Sequence, residues 1–230
     1  MGEIFGVCRI EGEKARYQQT PMEFFPFGSS GVDGVHYGFI IHTADQEDYP
    51  SGEICPMDDD GVILLGNNSK EIFQNLMYEV EIFKMFPQLL SELELDKVIT
   101  RNQRYNELGQ GLRVAIKPRK NWTFINTSDG VGVFAETDFF MHSHITKYDN
   151  QNSSIEYFQD LAFEMQTLGL YASQLYYLKE LYWNEWTDDK LAKELLTQML
   201  EPYEKLNRQH LYDTTIKAIK NFDKRFDEQN

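Results

Sequence analysis

Along the first 66 residues, apolar positions come in short runs broken by glycines and acids, the pattern of strands joined by turns. The clearest run is Val35 to Thr43 (VHYGFIIHT), β-branched and aromatic, entered through a loop that carries Gly28, Gly31 and Gly34. Residues 52–56 predict a second short strand. Val62 to Leu65 predicts another, following the turn Asp58-Asp59-Asp60-Gly61. Asn67-Asn68-Ser69-Lys70 then opens a helix with Asn68 or Ser69 as N-cap. Ile72, Phe73, Leu76, Met77, Val80 and Phe83 recur in it at helical spacing until Pro87 ends or kinks it.

Strand patterns return in the middle of the chain, with Leu112 to Lys117 and Trp122 to Asn126 flanking Pro118. Asp129-Gly130 gives a hairpin turn into Val131 to Ala135. These strands are expected to extend the first sheet. From Ser153 the period changes to 3.6. Phe158, Leu161, Met165, Leu168, Ala172 and Leu175 form one stripe, with Gly169 as a break. Leu191, Leu195, Met199 and Tyr203 form a second, begun at Thr187-Asp188-Asp189 and bent near Pro202, and Leu211, Thr215, Ala218, Phe222 and Phe226 form a third.

Such short amphipathic helices read as antiparallel neighbours in a bundle. They bring tetratricopeptide-type hairpins to mind, yet no convincing repetition of roughly 34 residues is visible in the sequence. Tyr171, Tyr176, Tyr177, Tyr182, Trp183 and Trp186 are more aromatic side chains than one buried stripe can use. The helix that carries them is expected to be sandwiched on two sides rather than to meet a partner. The expected class is α+β: a twisted, mainly antiparallel sheet with packed helices over residues 1–150, then a C-terminal helical bundle over 151–230.

Composition narrows the class without naming a function. At 41% hydrophobic and 14% aromatic residues the chain is rich enough to build a core, and no apolar run is long enough to span a bilayer. The start, MGEIFGVCRIEGEKAR, lacks the basic and apolar regions of a secretory leader, so a soluble cytoplasmic protein is expected. Cys8 and Cys55 are too few for a disulfide framework or a thiolate metal site.

The distribution of the net charge of −15 is more informative than its size. Residues 1–98 carry −12 of it, 99–150 carry +2 and 151–230 carry −5. Between Arg16 and Lys70 there is no Lys or Arg at all, while nine acids occur: Glu23, Asp33, Asp45, Glu47, Asp48, Glu53, Asp58, Asp59 and Asp60. Such a surface repels nucleic acid and anionic membrane and attracts basic surfaces at long range.

Three segments are candidates for chemistry. The glycine loop GSSGVDGVHYG is followed by a strand, not by the helix N-terminus that a phosphate needs, and is expected to be a turn-rich hairpin approach. The DDDG run at 58–61 lacks the alternate spacing of a calcium loop and is expected to be a solvated turn, compatible with facing a partner. Asp138, His142 and His144 lie close enough that a strand would put both imidazoles on one face, the start of a divalent metal site, but no third and fourth ligand stand out. No cofactor is expected.

The runs PFGSSGVDGVHYGFII (26–41) and GEICPMDDDGVILLGNNSKEIFQNLM (52–77) resemble the core of the SUKH superfamily, which includes a cell-wall-synthesis regulator and many bacterial immunity proteins of polymorphic toxin systems. The matching features are Pro26-Phe27-Gly28, the stretch from Asp33 to Phe39, the Asp60-Gly61 turn, and Ser69, Glu71, Phe73 and Leu76. The resemblance implies an antiparallel sheet with helices against it and a protein-binding, non-enzymatic role: masking a toxin or acting as a scaffold.

The leading expectation joins the resemblance to the charge. Asp45, Glu47, Asp48, Glu53, Asp58, Asp59 and Asp60 would form an acidic face that meets a partner with a basic surface, such as a toxin domain. One alternative is a metal-assisted hydrolase using His142 and His144. Another is a regulatory scaffold whose two parts engage separate proteins.

Overall fold

The structure is a computed structural model that describes residues 3–4, 8–10, 16–31, 34–55, 61–72, 116–141, 148 and 153–229. It is α+β and divides into two compact units. One comprises residues 1–41 with 45–117, and the other comprises 42–44 with 118–230.

Among the described residues of the first unit, six strands run β1 (Glu3–Ile4), β2 (Cys8–Ile10), β3 (Phe24–Ser29), β4 (His36–Ile40), β5 (Ser51–Ile54) and β6 (Ile63–Gly66). Each pairs antiparallel with the next, so sheet order follows chain order. The glycine loop is the β3–β4 turn, as expected. Gly31 and Gly34 take φ of 76° and 69°, and Ser30 N–H donates to the Val35 carbonyl at 3.0 Å. Gly38 has a different task. A Cβ there would lie 2.5 Å from Phe24 Cε1 and 2.7 Å from the Phe25 carbonyl, so the ring of Phe24 occupies the space of the missing side chain.

Buried His36 sits in this core with both ring nitrogens engaged. Nδ1 lies 2.9 Å from the Gly34 carbonyl and Nε2 lies 3.2 Å from the Thr20 hydroxyl, which assigns the Nδ1–H tautomer. The expected strand from Val35 to Thr43 stops at Ile40, because residues 42–44 belong to the second unit. The expected strand from Leu112 to Lys117 lies outside the described residues except for Ile116 and Lys117, which are not in a strand.

In the second unit, β7 (Trp122–Ile125) and β8 (Val133–Glu136) form their own two-stranded sheet. This corrects the expectation that they extend the first sheet. Near-neutral charge and strand pattern carry no signal of which sheet a hairpin joins.

Four helices follow: α1 (Ile155–Thr167), α2 (Tyr171–Glu185), α3 (Asp189–Lys205) and α4 (Gln209–Gln229). Consecutive helices pack on one another, and α2 also contacts β8. Twelve consecutive residues of α2, Ala172 to Trp183, are buried, which answers the aromatic excess: the helix is enclosed by neighbours on more than one side. Pro202 does not end α3, which continues to Lys205.

The helices come as two hairpins built alike. Ser154 caps α1 by accepting from Tyr157 N–H, and Asp188 caps α3 by accepting from Lys190 and Leu191 N–H. The two caps are separated by roughly 34 residues, the length of a tetratricopeptide unit.

Both hairpins also turn through the same C-terminal motif. In the first, Leu170 N–H reaches the Met165 carbonyl at 2.9 Å and Gly169 N–H the Gln166 carbonyl at 3.0 Å. In the second, Arg208 N–H reaches Tyr203 at 2.7 Å and Asn207 N–H reaches Glu204 at 3.0 Å. Gly169 and Asn207 hold the left-handed positions, with φ of 73° and 56°. The repetition is one of caps and turns, so it is hidden from a search for repeated apolar residues.

Candidate functional site

Asp45 and Glu47 are exposed in the loop between β4 and β5. Asp48, three residues on from Asp45, is half-buried and committed to the fold. Its Oδ1 accepts from the Ser69 hydroxyl at 2.6 Å and from Tyr49 N–H at 2.9 Å, and both oxygens lie 3.2 Å from Ser69 N. The Ser69 hydroxyl, above all, holds its carboxyl below the ordinary carboxylate value. The Ser69 and Tyr49 amides and the charge of Lys117 add to this against partial burial.

Asp48 thereby ties the acidic loop to the first turn of the helix that opens at Ser69. That turn is capped by Asn68, whose Oδ1 accepts from Glu71 N–H at 3.0 Å, while Glu71 reaches back to Asn67 N–H at 2.8 Å. Asn68, one of the two expected caps, is the one used.

Glu53 does not belong to an exposed face. It is 5% exposed, in a strand with all four residues buried, paired with Tyr37 on one side and Ile63 on the other. A charge count along the chain cannot register this, because the β5 segment has neighbours on both edges. Asp58, Asp59 and Asp60 lie outside the described residues. Of the seven acids, Asp45 and Glu47 are thus exposed, Asp48 is half-buried and bonded to Ser69, and Glu53 is buried.

Arg16, the last cation before the acidic stretch, is turned inward. Its guanidinium donates to the carbonyls of Thr20 (3.2 Å), Pro21 (2.8 Å) and Phe24. Cys55 is half-buried and in no disulfide.

His142 and His144 fall outside the described residues. Asp138 is exposed in a 3₁₀ turn over Thr137–Phe139, not in the strand that would align it with them. Among the described residues no group of three or more His, Cys, Asp or Glu is placed to hold a metal ion.

Sequence reading missed a buried polar cluster in the second unit. Lys179 Nζ lies 3.1 Å from Asp129 Oδ2, with both side chains almost fully enclosed. Asp129 Oδ1 also accepts from the Thr127 hydroxyl and from Val131 N–H at 3.0 Å, which organises the loop between β7 and β8. Next along α2, Glu180 accepts from Ser128 N–H at 2.7 Å and from the Ser128 hydroxyl at 2.9 Å. Burial pushes its carboxyl up, against these hydrogen bonds.

Arg208 donates to the carbonyls of His42 and Phe134, the latter at 2.6 Å, and its guanidinium lies 5.2 Å from the Trp122 ring centroid. Arg119 is 4.9 Å from the same ring and donates to the Thr43 hydroxyl at 3.1 Å. His42 is enclosed edge-on to Phe124 and Phe134, and its Nε2 has no hydrogen-bond partner. Burial, then the charges of Lys179 and Arg208, hold its pKa well below the ordinary value, so it is neutral.

The available signal was small: Lys179-Glu180 in the middle of an apolar, aromatic helix, and the Thr-Ser-Asp-Gly turn. The arrangement anchors α2, the loop before β8 and residues 42–44 to one another, and its charges face fixed partners.

Comparison with protein-family models finds no match, and no curated protein matches the chain. Among the described residues, no helix is long and apolar enough to cross a membrane.

Proposed function

We propose that the chain is a cytoplasmic, non-enzymatic protein-binding module of the SUKH immunity or regulatory kind, working without a cofactor, whose acidic β4–β5 loop meets a basic surface on its partner. The observation that carries this reading is the pairing of exposed Asp45 and Glu47 with Asp48, which is fixed from below by Ser69. A loop held at its base presents its carboxylates at low entropic cost, and the chain from Arg16 to Lys70 contributes no Lys or Arg of its own between those two residues. A basic toxin domain is the partner class that the resemblance favours.

The test starts from the products of neighbouring open reading frames, the natural place for a toxin partner. Each is purified and its association with the full chain is followed by surface plasmon resonance. The expected partner binds with an association rate that falls steeply between about 0.05 and about 0.5 M salt. Replacing Asp45 and Glu47 by Lys should slow association by about tenfold or more. Binding that is indifferent to both salt and reversal overturns the reading.

A further inference from the structure

Four large hydrophobic side chains stand exposed among the described residues, and three of them mark one helix: Tyr157 (51% exposed), Phe163 (69%) and, at the C-cap, Leu168 (59%) of α1. Phe158, Ala162 and Met165 take the opposite, buried side. At 100° per residue the exposed positions Glu156, Tyr157, Asp160, Phe163, Glu164, Thr167 and Leu168 fall within an arc of roughly 140°.

Glu156, Asp160 and Glu164, at i, i+4 and i+8, form a row up the middle of this arc. Phe163 flanks the row on one side, and Tyr157 and Leu168 flank it on the other. No Lys or Arg occurs between Lys147 and Lys179, so the helix supplies no cation of its own to this face. Helix stability accounts for Glu156, in the first turn, but not for the two acids beyond it. Like charges at i, i+4 repel, and Glu164 lies towards the end of the helix where the dipole disfavours an anion.

We propose that this outer face of α1 docks a basic amphipathic helix of another protein, with Lys and Arg along the acidic row and apolar side chains against Phe163 on one flank and Tyr157 and Leu168 on the other. Charge selects this occupant. A second copy paired about a two-fold axis would set carboxylates against carboxylates, and nucleic acid or an anionic bilayer would meet the same repulsion. The surface is separate from the β4–β5 loop and does not rest on the role proposed for it.

The test uses the full chain and three synthetic peptides: an amphipathic Leu/Lys helix of about 18 residues, the same peptide with every Leu replaced by Ser, and the same with every Lys replaced by Glu. Binding is read by fluorescence anisotropy, with circular dichroism to confirm that each variant is folded. The Leu/Lys peptide should bind saturably and the other two should not. Phe163→Ser with Leu168→Ser, and separately Asp160→Lys with Glu164→Lys, should each weaken it by at least about tenfold. Asp45→Lys with Glu47→Lys should leave it within about twofold.

Equal binding of the Ser-substituted peptide, or affinity lost only in the loop variant, overturns the proposal in favour of diffuse attraction to an acidic protein. Absence of saturable binding also overturns it. So does a dimer in sedimentation velocity that Phe163→Ser dissolves, which would assign the face to self-association.

Discussion

The two units use charge in opposite ways. In the first, Asp45 and Glu47 are exposed, and Asp48 beside them in the chain is held by hydroxyl and amide donors. In the second, Asp129, Lys179, Glu180 and Arg208 are buried and bonded, linking a loop, two strands and the helices around them. A carboxylate in water is available to a partner and contributes little to folding. One buried against an ammonium contributes to folding mainly because leaving either charge alone would be so unfavourable. Formal charge along the chain therefore does not measure how much of the fold the charges hold: Asp129, Lys179, Glu180 and Arg208 are bonded inside the second unit, whereas Asp45 and Glu47 are exposed.

The largest effect expected of this contrast is at Asp129. Asp129→Ala leaves Lys179 buried without its carboxylate and should destabilise the second unit by about 3–5 kcal/mol. Urea denaturation followed by helical circular dichroism would show it. Replacing both partners, Asp129→Asn with Lys179→Met, should recover part of the loss because no lone charge remains. If the single change costs no more than a surface substitution, the buried pair is not an anchor and the contrast fails.

A smaller effect is expected at Asp48, where Ala removes the acceptor for Ser69 and Tyr49 and should cost about 1 kcal/mol. The folded carboxyl titrates below its unfolded value, so its contribution is fully present above the ordinary carboxylate pKa of about 3.9 and is lost as the pH falls through the lower, folded value. Stability curves of the parent and Asp48→Ala should accordingly run apart at neutral pH and converge in acid. A constant separation would mean that the side chain acts through packing.

The smallest stability effect is expected at the loop tip. Asp45→Lys and Glu47→Lys should stay within about 0.5 kcal/mol of the parent while altering partner association. Thermal denaturation of the same protein used for binding would separate the two readouts.

Much of this architecture is legible in the sequence, for reasons visible at particular residues. Val62 to Leu65 predicted β6 to within a residue because apolar, β-branched positions lie between a glycine turn and a cap. Asp188 and Gly169 marked helix boundaries because side-chain capping and left-handed backbone are local requirements. What depended on distant partners was not legible. Glu53 reads as one more surface acid, and only its place between two strands buries it. Leu168 fits the apolar stripe yet is exposed, because it falls at the edge of that stripe beside Tyr157, at the end of α1. His42 reads as the tail of a strand, although its surroundings come from residues much later in the chain.

That last separation bears on how the molecule is made. On the ribosome, His42, Thr43 and Ala44 emerge long before β7 and β8, and longer still before Arg208, whose guanidinium holds the His42 carbonyl. The second unit therefore closes around a tripeptide that was translated well before the rest of it. A gene fragment starting at residue 118 would encode every strand and helix described in that unit and still omit the buried imidazole of His42.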